Sequence, residues 1–172
     1  MGNGVLGVLV AGAGMVAMVF VAGQTPLDAK LQGQLKRLFP SATAFSPKDG
    51  SPPHFKAYVN QTLAGYAFWT TELEPLERGY DGPIKILVGL DTKAALTGIL
   101  VVEHHEPYGD FSVDPPAFAA QFKGKSIRDP FKVGSDIDAV SRATISVTSA
   151  SRAVRNASRR IARAYLTPEA AK

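Results

Sequence analysis

The chain predicts an α+β domain, an antiparallel sheet flanked by helices, preceded by one N-terminal transmembrane helix. Three observations predict it. Residues Val5 to Ala22 are apolar or glycine throughout, without a charge. A block of strand-like runs lies between Phe55 and His104. The last long stretch, from about Val147 to Leu166, places Ala150, Val154, Ala157, Ile161 and Ala164 at helical spacing. Strands grouped together with helices before and after them favour an antiparallel sheet over alternating βαβ units.

The first stretch is about 18 residues, or roughly 27 Å as a helix, close to the hydrocarbon thickness of a bilayer. It reads as a membrane anchor (residues 1–24 with its flanks) or a secretory signal. The absence of Lys and Arg before it favours the anchor. The positive charge after it (Lys30, Lys36, Arg37) weakly favours a cytoplasmic domain.

Residues 25–172 form the folded domain. Thr25-Pro26 predicts a helix start, with Thr as N-cap and Pro in the first turn. Leu27, Leu31, Leu35 and Leu38 form its apolar stripe, and Pro40 ends it. Ser46 to Pro53 is a turn-rich loop. Phe55–Val59, Ala64–Thr71, Ile84–Leu90 and Leu96–His104 read as strands. The last two are joined as a hairpin through 91–95. Tyr66, Phe68 and Trp69 read as sheet core. Ala117–Phe122 reads as a short helix, and Lys123 to Asp136 as loop. On the final helix Arg152, Arg155, Arg159 and Arg163 oppose the apolar stripe. They are either a solvated face or a docking surface for an acidic partner or lipid headgroups.

At 172 residues the chain fits one domain plus an appendage. It has no cysteine, which excludes disulfides, thiolate metal sites and iron–sulfur clusters built from this chain. The net charge of +4 and pI near 9.4 suit an anionic membrane surface or an acidic protein. They are too mild to argue for nucleic acid, and no nucleic-acid signature accompanies them. No metal site is expected, because the adjacent His104 and His105 would point to opposite faces of a strand.

The chemistry concentrates in Asp138-Ala139-Val140-Ser141-Arg142-Ala143-Thr144, which closes a loop and runs into the last helix. Ser146, Thr148, Ser149 and Ser151 follow. The first amides of a helix lack intrahelical partners and its dipole favours an anion, so this is a natural phosphate site. The alternative is a helix start rich in Ser and Thr caps.

The stretch resembles the attachment motif of the FMN-binding domain family. That pattern is Asp, two variable residues, Ser or Thr, Gly, Ala, Thr. Asp138, Ser141, Ala143 and Thr144 match it, and Arg142 stands where most members have Gly. Phe39-Pro40-Ser41-Ala42, Gly65 to Phe68, Tyr80 to Ile84 and Val101 to Pro107 extend the resemblance over about residues 30–165. The branch they are most similar to is the flavin domain of the NosR regulator.

The resemblance implies FMN joined covalently to Thr144 through a phosphoester by a dedicated flavin transferase. It also implies Ser141, Ser146 and Thr148 as phosphate donors, with capping as their other role. Asp138 would orient the segment, or act as a loop cap. Glu106 would be the family's acidic residue beside the ring, with His105 or Tyr108 facing it. No catalytic residue is implied. The expected protein is an electron carrier on the extracytoplasmic side of the inner membrane. It would be anchored by residues 5–22 and work with redox partners in a membrane complex. The charge bias after the span points the other way and is small. The rival expectation is a structural subunit that kept the fold and lost the flavin.

Overall fold

The computed structural model describes residues 27–171. The expected span at 5–22 and the expected cap Thr25 lie outside them. Among the described residues no helix is long and apolar enough to cross a membrane.

Helix α1 (Ala29–Leu38) starts later than Thr25-Pro26 suggests. Asp28 is its N-cap, accepting a hydrogen bond from the Leu31 amide at 2.8 Å. An acidic cap has the better claim on the helix dipole, and Leu27 just before it joins Leu31 in packing on the core.

Five strands then form an antiparallel meander in chain order: β1 (Ala44–Phe45), β2 (Phe55–Val59), β3 (Thr62–Trp69), β4 (Lys85–Asp91) and β5 (Leu96–Glu103). Phe68 faces Val88 across β3 and β4, and Val88 faces Ile99 across β4 and β5. Alternation sends Tyr66, Phe68, Ile86 and Val88 to one face and Ala67, Trp69 and Leu87 to the other. The three aromatics are sheet core, as their sequence suggests.

Each face is covered. Helix α1 lays Leu35, Leu38 and Phe39 on the second face. It comes close because Gly89 has no side chain: a Cβ there would lie 3.2 Å from both Leu38 Cβ and Phe39 Cε2 and would overlap Thr97 Oγ1. The first face carries α5 (Thr144–Tyr165), through Val147, Ala150, Val154, Ala157 and Ile161. Short helices fill the connections: α2 (Thr70–Leu73), α3 (Gly109–Ser112), α4 (Pro116–Ala120), and α6 (Pro168–Ala171) at the end.

Several boundaries differ from the sequence reading by one or more residues, three of them as follows. Strand β3 stops at Trp69, because the Thr70 hydroxyl leaves the ladder. It donates to the Ile84 carbonyl at 3.2 Å and accepts from the Ile86 amide at 3.1 Å. The short helix runs over Pro116–Ala120, starting one residue and ending two residues earlier than expected, with Pro in its first turn. Helix α5 begins at Thr144, so the motif threonine lies inside the helix rather than ahead of it.

Candidate functional site

The loop before the motif is organised by Asp136. Its carboxylate accepts hydrogen bonds from the Phe131 and Lys132 amides, and Lys125 Nζ sits 3.0 Å away. Burial alone would raise the Asp136 pKa. The Lys125 hydrogen bond and the two amides outweigh it and hold the pKa below the ordinary value. The stripe of arginines on α5 ties the same loop down. Arg159 donates to the carbonyls of Ile127 at 2.7 Å and Asp129 at 3.0 Å, and Arg155 donates to that of Pro130. Outside the stripe, Arg160 bonds the Leu73 carbonyl. Two members of the stripe are therefore neither a free solvated face nor a docking surface. They fasten a loop.

From that base the motif rises to the helix. The Asp138 amide donates to Gln121 Oε1 at 2.7 Å, while its carboxylate is on the surface. Val140 packs against the core, and the Ala143 amide returns to its carbonyl at 3.1 Å. Between them Arg142 takes φ +66°, the left-handed region. Glycine enters that region freely and other residues at a cost of about 1 kcal/mol. The backbone thus takes a conformation that favours glycine while carrying an arginine. Ala143 then caps α5 with no side-chain hydrogen bond, and Thr144 follows, exposed, in the first turn.

Thr144 stands on the wall of a cavity of about 320 Å³. Its lining is Arg142 to Ser146, with Tyr80, Pro107 and Tyr108 opposite. Tyr80, Tyr108 and Ile145 are exposed large side chains, 70%, 43% and 57% accessible. An apolar rim open to solvent beside unpaired helix amides suits a flat aromatic ligand that carries an anion.

Behind the cavity lies Glu106, a buried carboxylate. It accepts from the Tyr80 amide at 2.9 Å, the Asp81 amide at 3.1 Å and the Ser146 hydroxyl. One side chain thereby joins three segments: the 79–82 turn, the end of β5 and the first turn of α5. Gly79 permits this, since a Cβ there would overlap Glu106 Oε1. The Glu106 amide in turn donates to His104 Nδ1 at 3.0 Å. His104 Nε2 therefore carries the proton it shares with Asp114, 2.8 Å away. The same packing needs Gly109, whose Cβ would strike the His104 ring.

The structure brings Arg142, Ala143, Thr144 and Ser146 together on one wall, with Glu106 behind it. It does not bring the rest. Ser141 and Asp138 lie on the surface ahead of the wall, and Thr148 is half-buried a turn further along the helix. His105 is exposed and outside the lining, whereas Tyr108 lines it. The Ser146 hydroxyl is committed to Glu106 rather than open to a ligand. Tyr80 is a lining residue that sequence reasoning missed. Tyr80 to Ile84 entered the sequence reading only as part of the resemblance, with no role given to Tyr80. Arg152, adjacent to the motif in sequence, is paired with Glu77 at 2.9 Å.

Comparison with known proteins converges on the same region. Residues 79–159 match the model of the FMN-binding domain. The chain is 38% identical over 65 residues to one component of the ion-translocating oxidoreductase complex of Haemophilus influenzae, strains PittEE and 86-028NP. That match covers 38% of this chain and 24% of the relative. It is 28% identical over 146 residues to the regulatory protein NosR of Pseudomonas aeruginosa, covering 78% of this chain and 20% of the relative. The chain thus spans a quarter or less of the length of these relatives. Every residue lining the cavity, and Glu106 behind it, falls within residues 79–159, the segment that matches the FMN-binding domain model.

Proposed function

We propose that this protein is an electron carrier that holds FMN in the cavity at the start of α5, esterified to Thr144. It would serve as a subunit of a membrane redox assembly, anchored by residues 5–22 with the domain on the extracytoplasmic side. One observation carries the reading: the Thr144 hydroxyl is exposed on the wall of an aromatic-rimmed cavity, inside a segment matched to the FMN-binding domain. The names of the relatives, a component of an ion-translocating oxidoreductase complex and a regulator, support the membrane-complex part.

The residues present fit the group. Tyr80 and Tyr108 offer ring faces, and the α5 amides and Arg142 offer positive charge to a phosphate. Flavin, when bound, supplies one- and two-electron redox chemistry. The chain's own part is to hold and orient. Thr144 provides the oxygen of the ester. It is a weak nucleophile, and no base is hydrogen-bonded to it among the described residues. A separate flavin transferase must therefore activate it. Once formed, the ester keeps the cofactor without continuous binding energy, which suits a compartment where lost FMN is not replaced. Glu106 and Ser146 fix the angle between the Tyr80 turn and the helix, and so the width of the slot.

The test is an intact-mass spectrum of the chain purified from its native membrane. An added mass of FMN less water, absent from Thr144→Ala, supports the carrier. An unmodified mass, from cells that flavinylate other proteins, overturns it in favour of a structural subunit without flavin.

A further inference from the structure

We infer that Arg142 is the phosphate-recognising residue of the site, a specificity determinant that makes the cavity select FMN over unphosphorylated riboflavin. The inference rests on the proposed flavin site and deepens it.

Arg142 lines the cavity two residues from Thr144, and among the described residues its guanidinium has no hydrogen-bond or ion-pair partner. Several of the charges near it are engaged. Arg152, about two turns along α5 from Thr144, is paired with Glu77. The carboxylate behind the cavity, Glu106, is met by three donors of its own. Further along α5, Arg155, Arg159 and Arg160 are held by backbone carbonyls. Arg142 is thus a cation on the cavity wall that the protein itself does not use.

It is also held where an arginine is costly. At φ +66° glycine is the favoured residue, so the backbone itself does not call for a side chain here. The charge, not the backbone, is what the residue contributes. A guanidinium offers a planar fork of donors matched to phosphate oxygens. Set beside the unpaired first amides of a 22-residue helix, it completes an anion site at the position where Thr144 would carry the phosphoester. The aromatic rim then takes the ring. Riboflavin would meet the rim alone.

The experiment uses the full-length chain made in cells lacking a flavin transferase, titrated with FMN and with riboflavin and followed by flavin fluorescence. The two probes differ only in the phosphate. The parent chain should bind FMN at least about tenfold more tightly, the size expected of one charge-assisted contact. Arg142→Gln should cut that preference about fivefold or more, leaving the contribution of the helix amides, and Arg142→Lys should retain most of it. Arg142→Gly should cut the preference to the same residual level while raising the melting temperature of the flavin-free chain by about 2–4 °C, through relief of the left-handed residue.

Equal binding of FMN and riboflavin by the parent, no binding of either, or an unchanged preference in Arg142→Gln would each overturn the inference. Failure here is separable from failure of the proposed function. A Thr144-linked flavin with no phosphate preference sinks only the role of Arg142. An intact preference without any attached flavin sinks only the covalent carrier.

Discussion

Helix α5 is held along its second half and left open at its first turn. In the second half Val154, Ala157, Ile161 and Ala162 are fully buried on the sheet. Ser158 bonds back to the Val154 carbonyl, and arginines fasten flanking loops to the helix. Tyr66 Oη donates to the Tyr165 carbonyl at 3.3 Å, and Tyr165 Oη donates to that of Pro52 at 3.0 Å. At the first turn there is no side-chain cap, the preceding Arg142 is left-handed, and Thr144 and Ile145 face solvent. Ala143, Ser146 and Val147 tie that end down. The difference shows where the fold concentrates its contacts. Unsatisfied amides and exposed side chains persist at one end of an element because the other end supplies the stability.

The largest effect should separate two isoleucines of the same helix. Ile161→Ala should cost about 2–5 kcal/mol in urea unfolding, as expected for a fully buried side chain. Ile145→Ala should stay within about 0.5 kcal/mol, as expected of a surface position. Comparable costs at both sites would erase the contrast.

Glu106→Ala should come next, at about 1–3 kcal/mol. It strips the acceptor from Ser146 and from the Tyr80 and Asp81 amides. Hydrogen exchange should quicken at residues 79–82 and at the first turn of α5, and not near Ile161. Exchange that rose evenly over the helix would mean that Glu106 does not act locally.

Arg159→Ala should cost about 1–2 kcal/mol and speed exchange in 127–131, because two loop carbonyls lose a charged donor. A smaller effect is expected from acid. The folded pKa of Asp136 lies below its unfolded value, so its contribution is present above the unfolded pKa, about 3.9, and is lost as pH falls through the folded one. Stability should therefore decline below about pH 4, and Asp136→Asn should flatten that limb. An unchanged acid limb in the variant would remove Asp136 as its source.

The contrast between the two ends bears on what a sequence discloses. The second half of α5 was legible because burial imposes a period: Val154, Ala157 and Ile161 read as a stripe and pack as one. Strands β2, β4 and β5 were legible as strand-like runs, the last two nearly all apolar. Strand β1 was not, since two residues carry no period. Thr70 reads as a β-former, yet its hydroxyl is claimed by Ile84 and Ile86, a contact visible only in the fold. The partners of Arg155 and Arg159 are carbonyls, which leave no mark in a sequence. At the site, Thr144 and Arg142 came from a motif. Tyr80 did not, because Glu106 recruits its amide from 26 positions away.

The measurement that tests the central claim most directly is peptide mapping of the native protein. Trypsin, cutting after Arg142 and Arg152, releases residues 143–152, which contain Thr144, Ser146, Thr148, Ser149 and Ser151. The account predicts that fragmentation places the mass of FMN less water on Thr144, the hydroxyl exposed on the cavity wall. A peptide without that mass, or with the mass on Thr148 or a buried serine, would contradict it.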